Sequence, residues 1–115
     1  MDYKPRRANL KRWLQEAPPY ILDVFDNKGD TADRYTVMFT GPDMLIRSGG
    51  TAYKDTWVPH LDMSDAPSHP QGVSMWGELS AYDTARLRYA WGKQRIRWLD
   101  LPEHIRKHVV ARATT

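Results

Sequence analysis

The alternation of apolar and polar residues divides the chain into short elements. Ala8 to Glu16, "ANLKRWLQE", sets Leu10, Trp13 and Leu14 at i, i+3 and i+4, the spacing of one helix face. Pro18-Pro19 ends that helix, because the residue before a proline is pushed out of the α region. Tyr20 to Phe25 and Arg34 to Phe39 read as strands, and the turn formers around Asn27-Lys28-Gly29 predict a hairpin between them. In the second strand Tyr35, Val37 and Phe39 share one face, and Arg34, Thr36 and Met38 the other. Gly41-Pro42-Asp43 and Ser48-Gly49-Gly50 predict turns around a short strand, Met44 to Ile46. Thr51 to Met63 has strand character, and Pro59 places it at an edge, a bend or a bulge, since proline has no N–H for a ladder.

In the second half, "VSMWGEL" from Val73 is another short strand or an extended loop. Ser80 to Lys93 is ambiguous: Ala81, Ala85, Leu87, Ala90 and Trp91 suit a helix or two turns of one, capped by Gly92. Arg95 to Trp98 alternates, with Ile96 and Trp98 facing one way and Arg95 and Arg97 the other. Asp100-Leu101-Pro102-Glu103 predicts a capping box, Asp100 as N-cap and Glu103 at N3. It opens a helix from Leu101 to Arg112 that buries Leu101, Ile105 and Val109, with His108 at the margin of that face. The expected fold is α+β: a single domain over residues 1–115, with an antiparallel sheet of four to five strands packed by N- and C-terminal helices.

Composition narrows the class. With 41% hydrophobic and 27% charged residues, the chain reads as globular rather than disordered. The absence of cysteine excludes disulfides, thiolate zinc sites and cysteine nucleophiles. No apolar run has the length of a signal peptide or approaches the roughly 18 residues of a membrane span. A cytoplasmic protein with no membrane association is therefore expected. Five tryptophans and six tyrosines are enough to fill a small core and to furnish an interface, so a homo-oligomer is expected.

The net charge of +3 conceals a segregation. Residues 1–18 hold five Lys/Arg against two Asp/Glu, residues 19–83 four against ten, and residues 84–115 eight against two. Either the acidic middle folds against the basic ends, or the last third forms a basic face that attracts phosphates.

Three blocks in order, "DVFDNKGDTADRYTV", "DMSDAPSHPQGV" and "GKQRIRWLDLPEHIRKHV", resemble a set of small proteins encoded by bacteriophages. The resemblance spans about residues 22–110 and implies a phage origin, hence the cytoplasm of a bacterial host. It carries no activity. The chain departs from the pattern at Lys28, where the pattern has glycine, and in a longer insert before Gly92.

The chemistry concentrates in "PSHPQG". Pro67 and Pro70 restrict the backbone around Ser68 and His69, which lowers the entropy lost when those side chains engage a ligand. Gly72 permits close backbone approach. Ser64, Ser68, His69 and Gln71 then offer hydrogen bonds to a base, a ribose or a phosphate; the alternative is a turn that satisfies its own backbone. Arg34, Arg95 and Arg97 on strands suit bidentate phosphate contacts, or else protect an edge by charge.

Other chemistries have weaker support. His60, Asp62, Asp65 and His69 lie close in sequence, but there is no HExxH, and His104 and His108 lack a third ligand nearby, so no metal and no cofactor are expected. Ser64 or Ser68 with His60 or His69 offers a nucleophile and a base without a G-x-S-x-G elbow, and neither a P-loop nor a GxGxxG is present. The expected function is a non-catalytic, phage-type binding protein that sequesters a small anionic ligand, a nucleotide-derived immune signal. The alternatives are a factor that binds nucleic acid or a host protein through the basic third, and a small hydrolase.

Overall fold

The computed structural model describes residues 10–28, 33–39, 57–90 and 92–114. Five strands, β1 (Ile21–Asp26), β2 (Tyr35–Phe39), β3 (Trp57–Met63), β4 (Ser74–Ser80) and β5 (Arg95–Ile96), form one antiparallel sheet in the order β4-β3-β2-β1-β5. Among the described residues, α1 (Leu10–Trp13), α2 (Ala81–Ala90) and α3 (Glu103–Thr114) are the α-helices that accompany it. The α+β architecture with terminal helices is thus the one the residue pattern predicts.

The register explains the core. Ile96, Val24, Val37, Leu61 and Trp76 lie opposite one another in a row across all five strands. They share a cluster with Trp13 of α1 and Ile105, Val109 and Ala113 of α3, which places both terminal helices over this face. Four rings run through the cluster, with Trp13 edge-on to Tyr20 at 5.5 Å, Tyr20 at 6.1 Å from Phe39, and Phe39 at 5.2 Å from Trp76. The Trp98 indole N–H donates to the Trp13 carbonyl at 2.5 Å, tying α1 to the chain segment that leads into α3.

Pleating sends Asp23, Phe25, Thr36 and Met38 to the opposite face. Helix α2 covers part of it, touching β3 and β4, and its Arg88 pairs with Asp23. Arg95 of β5 reaches the other oxygen of the same carboxylate at 3.3 Å. Both faces of the central strands are therefore covered, so all five residues of β2 are buried, polar Thr36 included.

Ser80 starts α2. Its hydroxyl accepts the Asp83 N–H at 3.0 Å, the bond of an N-cap serine, and Asp83 adds an acidic residue in the first turn. "VSMWGEL" resolves as strand β4 and the segment after it as a helix.

Several local expectations change. Helix α1 closes at Trp13, and the Gln15 and Glu16 N–H groups turn back onto the Arg12 carbonyl before the prolines are reached. Strand β3 lies inside the sheet rather than at an edge; Pro59 sits beyond the last β2 partner, Met38↔His60, where a missing N–H leaves no ladder bond unmade on that side. Of Arg95–Trp98 only the first two residues pair as a strand, because a 3-10 turn begins at Trp98. The side chains still face as predicted, with Trp98 buried and Arg95 and Arg97 exposed.

The capping box at Asp100 is corrected as well. The Asp100 carboxylate accepts from the Arg97 backbone N–H at 2.9 Å and from its guanidinium at 3.0 and 3.2 Å, so it closes the 3-10 turn Trp98–Asp100 instead of opening α3. Helix α3 starts at Glu103, with the Pro102 carbonyl taking the Ile105 and Arg106 N–H groups, and it buries Ile105 and Val109 while Leu101 is buried just ahead of it. The predicted strand Met44–Ile46, its two flanking turns and residues 51–56 lie outside the described residues.

Candidate functional site

Strands β1 and β3 finish, and β2 and β4 begin, at the same end of the sheet. The approach to β2 and the loop from Ser64 to Val73 therefore meet there, beside the first turns of α3. Chain reversal at this end rests on Asn27 and Asp26. Asn27 Nδ2 donates to the Asp33 carbonyl at 3.1 Å, and Asp26 Oδ1 accepts the Lys28 N–H at 2.9 Å. Lys28 takes φ 51°, a conformation glycine adopts more readily.

The Ser64–Val73 loop is rigid because its backbone is satisfied from within. Ser64 closes the neck, its N–H donating to the Val73 carbonyl at 3.0 Å and its hydroxyl accepting the Val73 N–H at 2.9 Å. Above the neck the His69 N–H donates to the Ala66 carbonyl at 3.0 Å, and the Gly72 N–H to the His69 carbonyl at 2.8 Å. A methyl on Gly72 would sit 1.9 Å from the Ala66 oxygen, so only glycine fits. The Gln71 N–H donates to His69 Nδ1 at 3.0 Å. In the neutral ring that bond leaves the hydrogen on Nε2, which then serves as a donor.

Contacts from Asp65 and Ser68 fix the loop to the rest of the fold. The Asp65 carbonyl lies 2.7 Å from His104 Nε2 on α3, and the Asp65 carboxylate lies 3.4 Å from Arg34 Nη1. His108, one turn beyond His104, has Ser74 Oγ at 2.6 Å from Nε2 and Ser68 Oγ at 3.3 Å from Nδ1. Ser68, His69 and Gln71 remain exposed.

Arg34 is the central cation. Its Nε and Nη2 fork onto Asp26 at 2.6 and 3.2 Å, which holds the Asp26 carboxyl below its usual range and the guanidinium above its own. The Tyr35 ring lies under it, 5.2 Å from centroid to Cζ.

A second polar chain runs inward from the same end. Asn27 Nδ2 donates to Thr36 Oγ1 at 3.0 Å, and Thr36 donates to Asp62 Oδ1 at 2.8 Å. Asp62 Oδ2 lies 3.1 Å from His60 Nδ1, and among the described residues that buried nitrogen has no well-formed hydrogen bond. Burial pushes the Asp62 carboxyl up, but His60 and Thr36 outweigh it and hold it low. Burial, and then the Asp62 charge, push the Asp33 carboxyl up. Sequence reading weighed His60 and Asp62 as metal ligands and His60 as a base for a serine; their alternate positions on one strand, with Asp62 opposite Thr36, carried the signal.

The structure thus gathers Arg34, Ser64, Ser68, His69 and Gln71 at one end of the sheet. Arg95 and Arg97 stand apart from it, the first on Asp23 and the second on Asp100. Among the described residues of the basic last third, Arg86, Arg88, Arg95, Arg97 and Lys107 form ion pairs. Asp23 carries the contact between the acidic middle and the basic end. Among the described residues, no group of three or more His, Asp or Glu is gathered to hold a metal ion.

His108 gives the site a pH signature. Burial, and then the nearby Arg112 charge, lower its pKa below the ordinary value of 6.5. A depressed histidine stabilises the fold fully above the unfolded-state pKa, and that contribution is lost as pH falls through the folded one. Stability should therefore drop on acidification below about pH 6.5. His108→Gln should flatten that part of the curve, as read by melting temperature across pH; a profile unchanged by the substitution would assign the dependence elsewhere.

Comparison with protein-family models, with curated proteins and with solved structures finds no match. Among the described residues no helix is long and apolar enough to cross a membrane. The chemistry must be read from the site.

Proposed function

We propose that this protein is a non-catalytic binding module whose site is the sheet end formed by Arg34 and the Ser64–Val73 loop. Its ligand is a small anion of nucleotide type, held rather than transformed, as in the sequestration of a nucleotide-derived signal in a phage-infected cell. The observation that carries the reading is the rigid loop: backbone bonds fix it before any ligand arrives, while Ser68, His69 and Gln71 stay exposed. Preorganisation lowers the entropy lost on binding.

The donors suit acceptor-rich ligands. His69 Nε2–H, the Gln71 amide and the Ser68 hydroxyl match base and sugar edges. Arg34 supplies the charge: Asp26 holds Nε and Nη2, while among the described residues Nη1 is met by the exposed Asp65 at 3.4 Å, a long contact that a phosphate oxygen can displace. Cyclic mono-, di- and trinucleotides and ADP-ribose isomers, titrated by calorimetry, form the test panel. Changing His69 and Gln71 together to alanine should weaken binding by about thirty- to a thousand-fold, the loss of two ligand hydrogen bonds. The fold should remain, because neither side chain is buried. Wild-type protein that binds none of the panel, or a double mutant that binds equally well, would overturn the assignment.

One contact favours hydrolysis as a second reading. Ser74 Oγ lies 2.6 Å from His108 Nε2, and Ser68 Oγ stands at the other ring nitrogen. With the hydrogen on Nδ1, His108 is placed to take the Ser74 proton. A fluorophosphonate probe that labels wild type but not Ser74→Ala would move the protein to that class; no labelling would leave Ser74 and His108 as the support of the loop.

A further inference from the structure

Two arginines meet one buried acid where α2 hands the chain back to the sheet. Asp23 of β1 is 9% exposed, and its two carboxylate oxygens are taken separately. Arg88 of α2 donates to Oδ2 through Nε, and Arg95 of β5 brings its own Nε to 3.3 Å from Oδ1. Arg95 Nη2 also donates to the Arg88 carbonyl at 3.3 Å. The short 3-10 turn Gly92–Gln94 separates α2 from β5, so one local reversal of the chain delivers both cations to the same carboxylate.

Charge is not balanced at this point. Other ion pairs of the basic last third are one to one among the described residues: Arg86 with Asp83, Arg97 with Asp100 and Lys107 with Glu103. Here two cations share one anion, and one positive charge is left over. Guanidiniums held side by side repel, and an anion taken up from solution offsets that repulsion. The donor count agrees. A guanidinium carries five N–H donors and no acceptor. Arg88 spends Nε on Asp23, and among the described residues its Nη1 and Nη2 donate to nothing; Arg95 spends Nη2 on the Arg88 carbonyl, and its Nη1 donates to nothing. The two side chains are 40% and 44% exposed, so solvent reaches them.

We propose that Arg88 and Arg95, seated on Asp23, form an anion site for a phosphate group. A phosphate suits it better than a carboxylate. Its tetrahedral oxygens can accept from two guanidiniums that arrive from different elements, whereas a planar carboxylate has the role that Asp23 already fills from the inner side. The ligand is the free phosphate ion or the terminal phosphate of a small ester. The one-to-one pairing of the surrounding cations disfavours an extended nucleic-acid backbone, which needs a row of uncommitted charges. This site is independent of Arg34, whose acids are Asp26 and Asp65.

Nitrogen-15 NMR of the arginine Nε–H groups, with potassium phosphate titrated into the full chain at constant ionic strength, reads the site directly. The Arg88 and Arg95 signals should shift together and saturate with a dissociation constant on the order of 1 mM, the strength of a few charge-assisted hydrogen bonds. Ribose 5-phosphate in a second titration separates the sources: tighter saturation than the ion's assigns the site to an ester, weaker saturation to the free ion, and both uphold a phosphate site. Arg88→Lys and Arg95→Lys each keep a cation for Asp23 and should keep the wild-type circular dichroism spectrum. An ammonium spent on Asp23 has no planar outer edge, so each should weaken phosphate binding about tenfold or more. Arg97→Lys, at a one-to-one pair, should bind as wild type does. Shifts that do not saturate by about 50 mM phosphate, or that potassium chloride reproduces, would be screening alone and would overturn the site. So would lysine variants at Arg88 and Arg95 that bind phosphate like wild type, or saturation by duplex DNA but not by phosphate.

Discussion

Trp98→Ala should lower stability by about 3–5 kcal/mol, the cost of deleting a large aromatic from a closed core. The side chain is 5% exposed, and its N–H is the partner of the Trp13 carbonyl, so truncation both opens a cavity and orphans a buried acceptor. A domain of this kind holds about 5–15 kcal/mol in all, so the variant should sit close to its unfolding transition at 37 °C. Trp98→Phe separates the two contributions. It keeps much of the ring and loses the hydrogen bond, so it should cost distinctly less than alanine. Denaturant titrations of both variants beside wild type decide the point. Equal losses would mean that the bond to Trp13, not ring volume, holds the N-terminal segment in place.

Gly72→Ala should produce the second-largest change. The added methyl meets main-chain atoms, the Ala66 oxygen at 1.9 Å and the Ala66 carbonyl carbon at 2.9 Å, so no side chain can swing aside to admit it. Overpacking of this sort costs about 1–3 kcal/mol. The loop must open to accommodate it, and the bond from the Gly72 N–H to the His69 carbonyl is lost. Ligand binding should therefore fall together with stability. Gly77→Ala is the control. Its methyl meets the His60 ring at 2.6 Å, a side chain that can rotate, so the penalty should be smaller. Amide exchange across Ser64–Val73 should rise in Gly72→Ala and stay unchanged in Gly77→Ala; equal behaviour of the two would refute the close-approach argument.

Much of this fold is legible in the chain because its signals are local. The hairpin β1–β2 follows from β-rich runs around turn formers, and the inward Ile105 and Val109 of α3 follow from helical spacing. Other features depend on what lies across the fold. Alternation sets Thr36 and Met38 on the face away from Val37 but does not say whether that face is covered; both are buried, and α2 touches β3 and β4 on that side. Asp100-Leu101-Pro102-Glu103 matches a helix start, yet Arg97 lies three residues upstream and claims the carboxylate with three bonds. The opposite miss occurred at Ser80: Ser80 to Asp83 is also a capping pattern, and there the hydroxyl does start the helix.

The candidate site divides in the same way. "PSHPQG" declares its stiffness through its prolines and its glycine. That Arg34 joins this loop while Arg95 and Arg97 do not is decided by Asp26, Asp65, Asp23 and Asp100, acids whose partners only the register reveals.

The bond from Trp98 to Trp13 spans 85 residues, and β1 sits between a neighbour that follows it closely and one, β5, made near the end of the chain. On the ribosome, β1 to β4 can zip together as a meander while β5 and α3 are still unmade. Throughout that interval Val24, Val37, Phe39 and Leu61 present an uncovered apolar face. The nascent chain is most prone to aggregate at that stage and most in need of a chaperone, and the emergence of β5 and α3 ends the exposure.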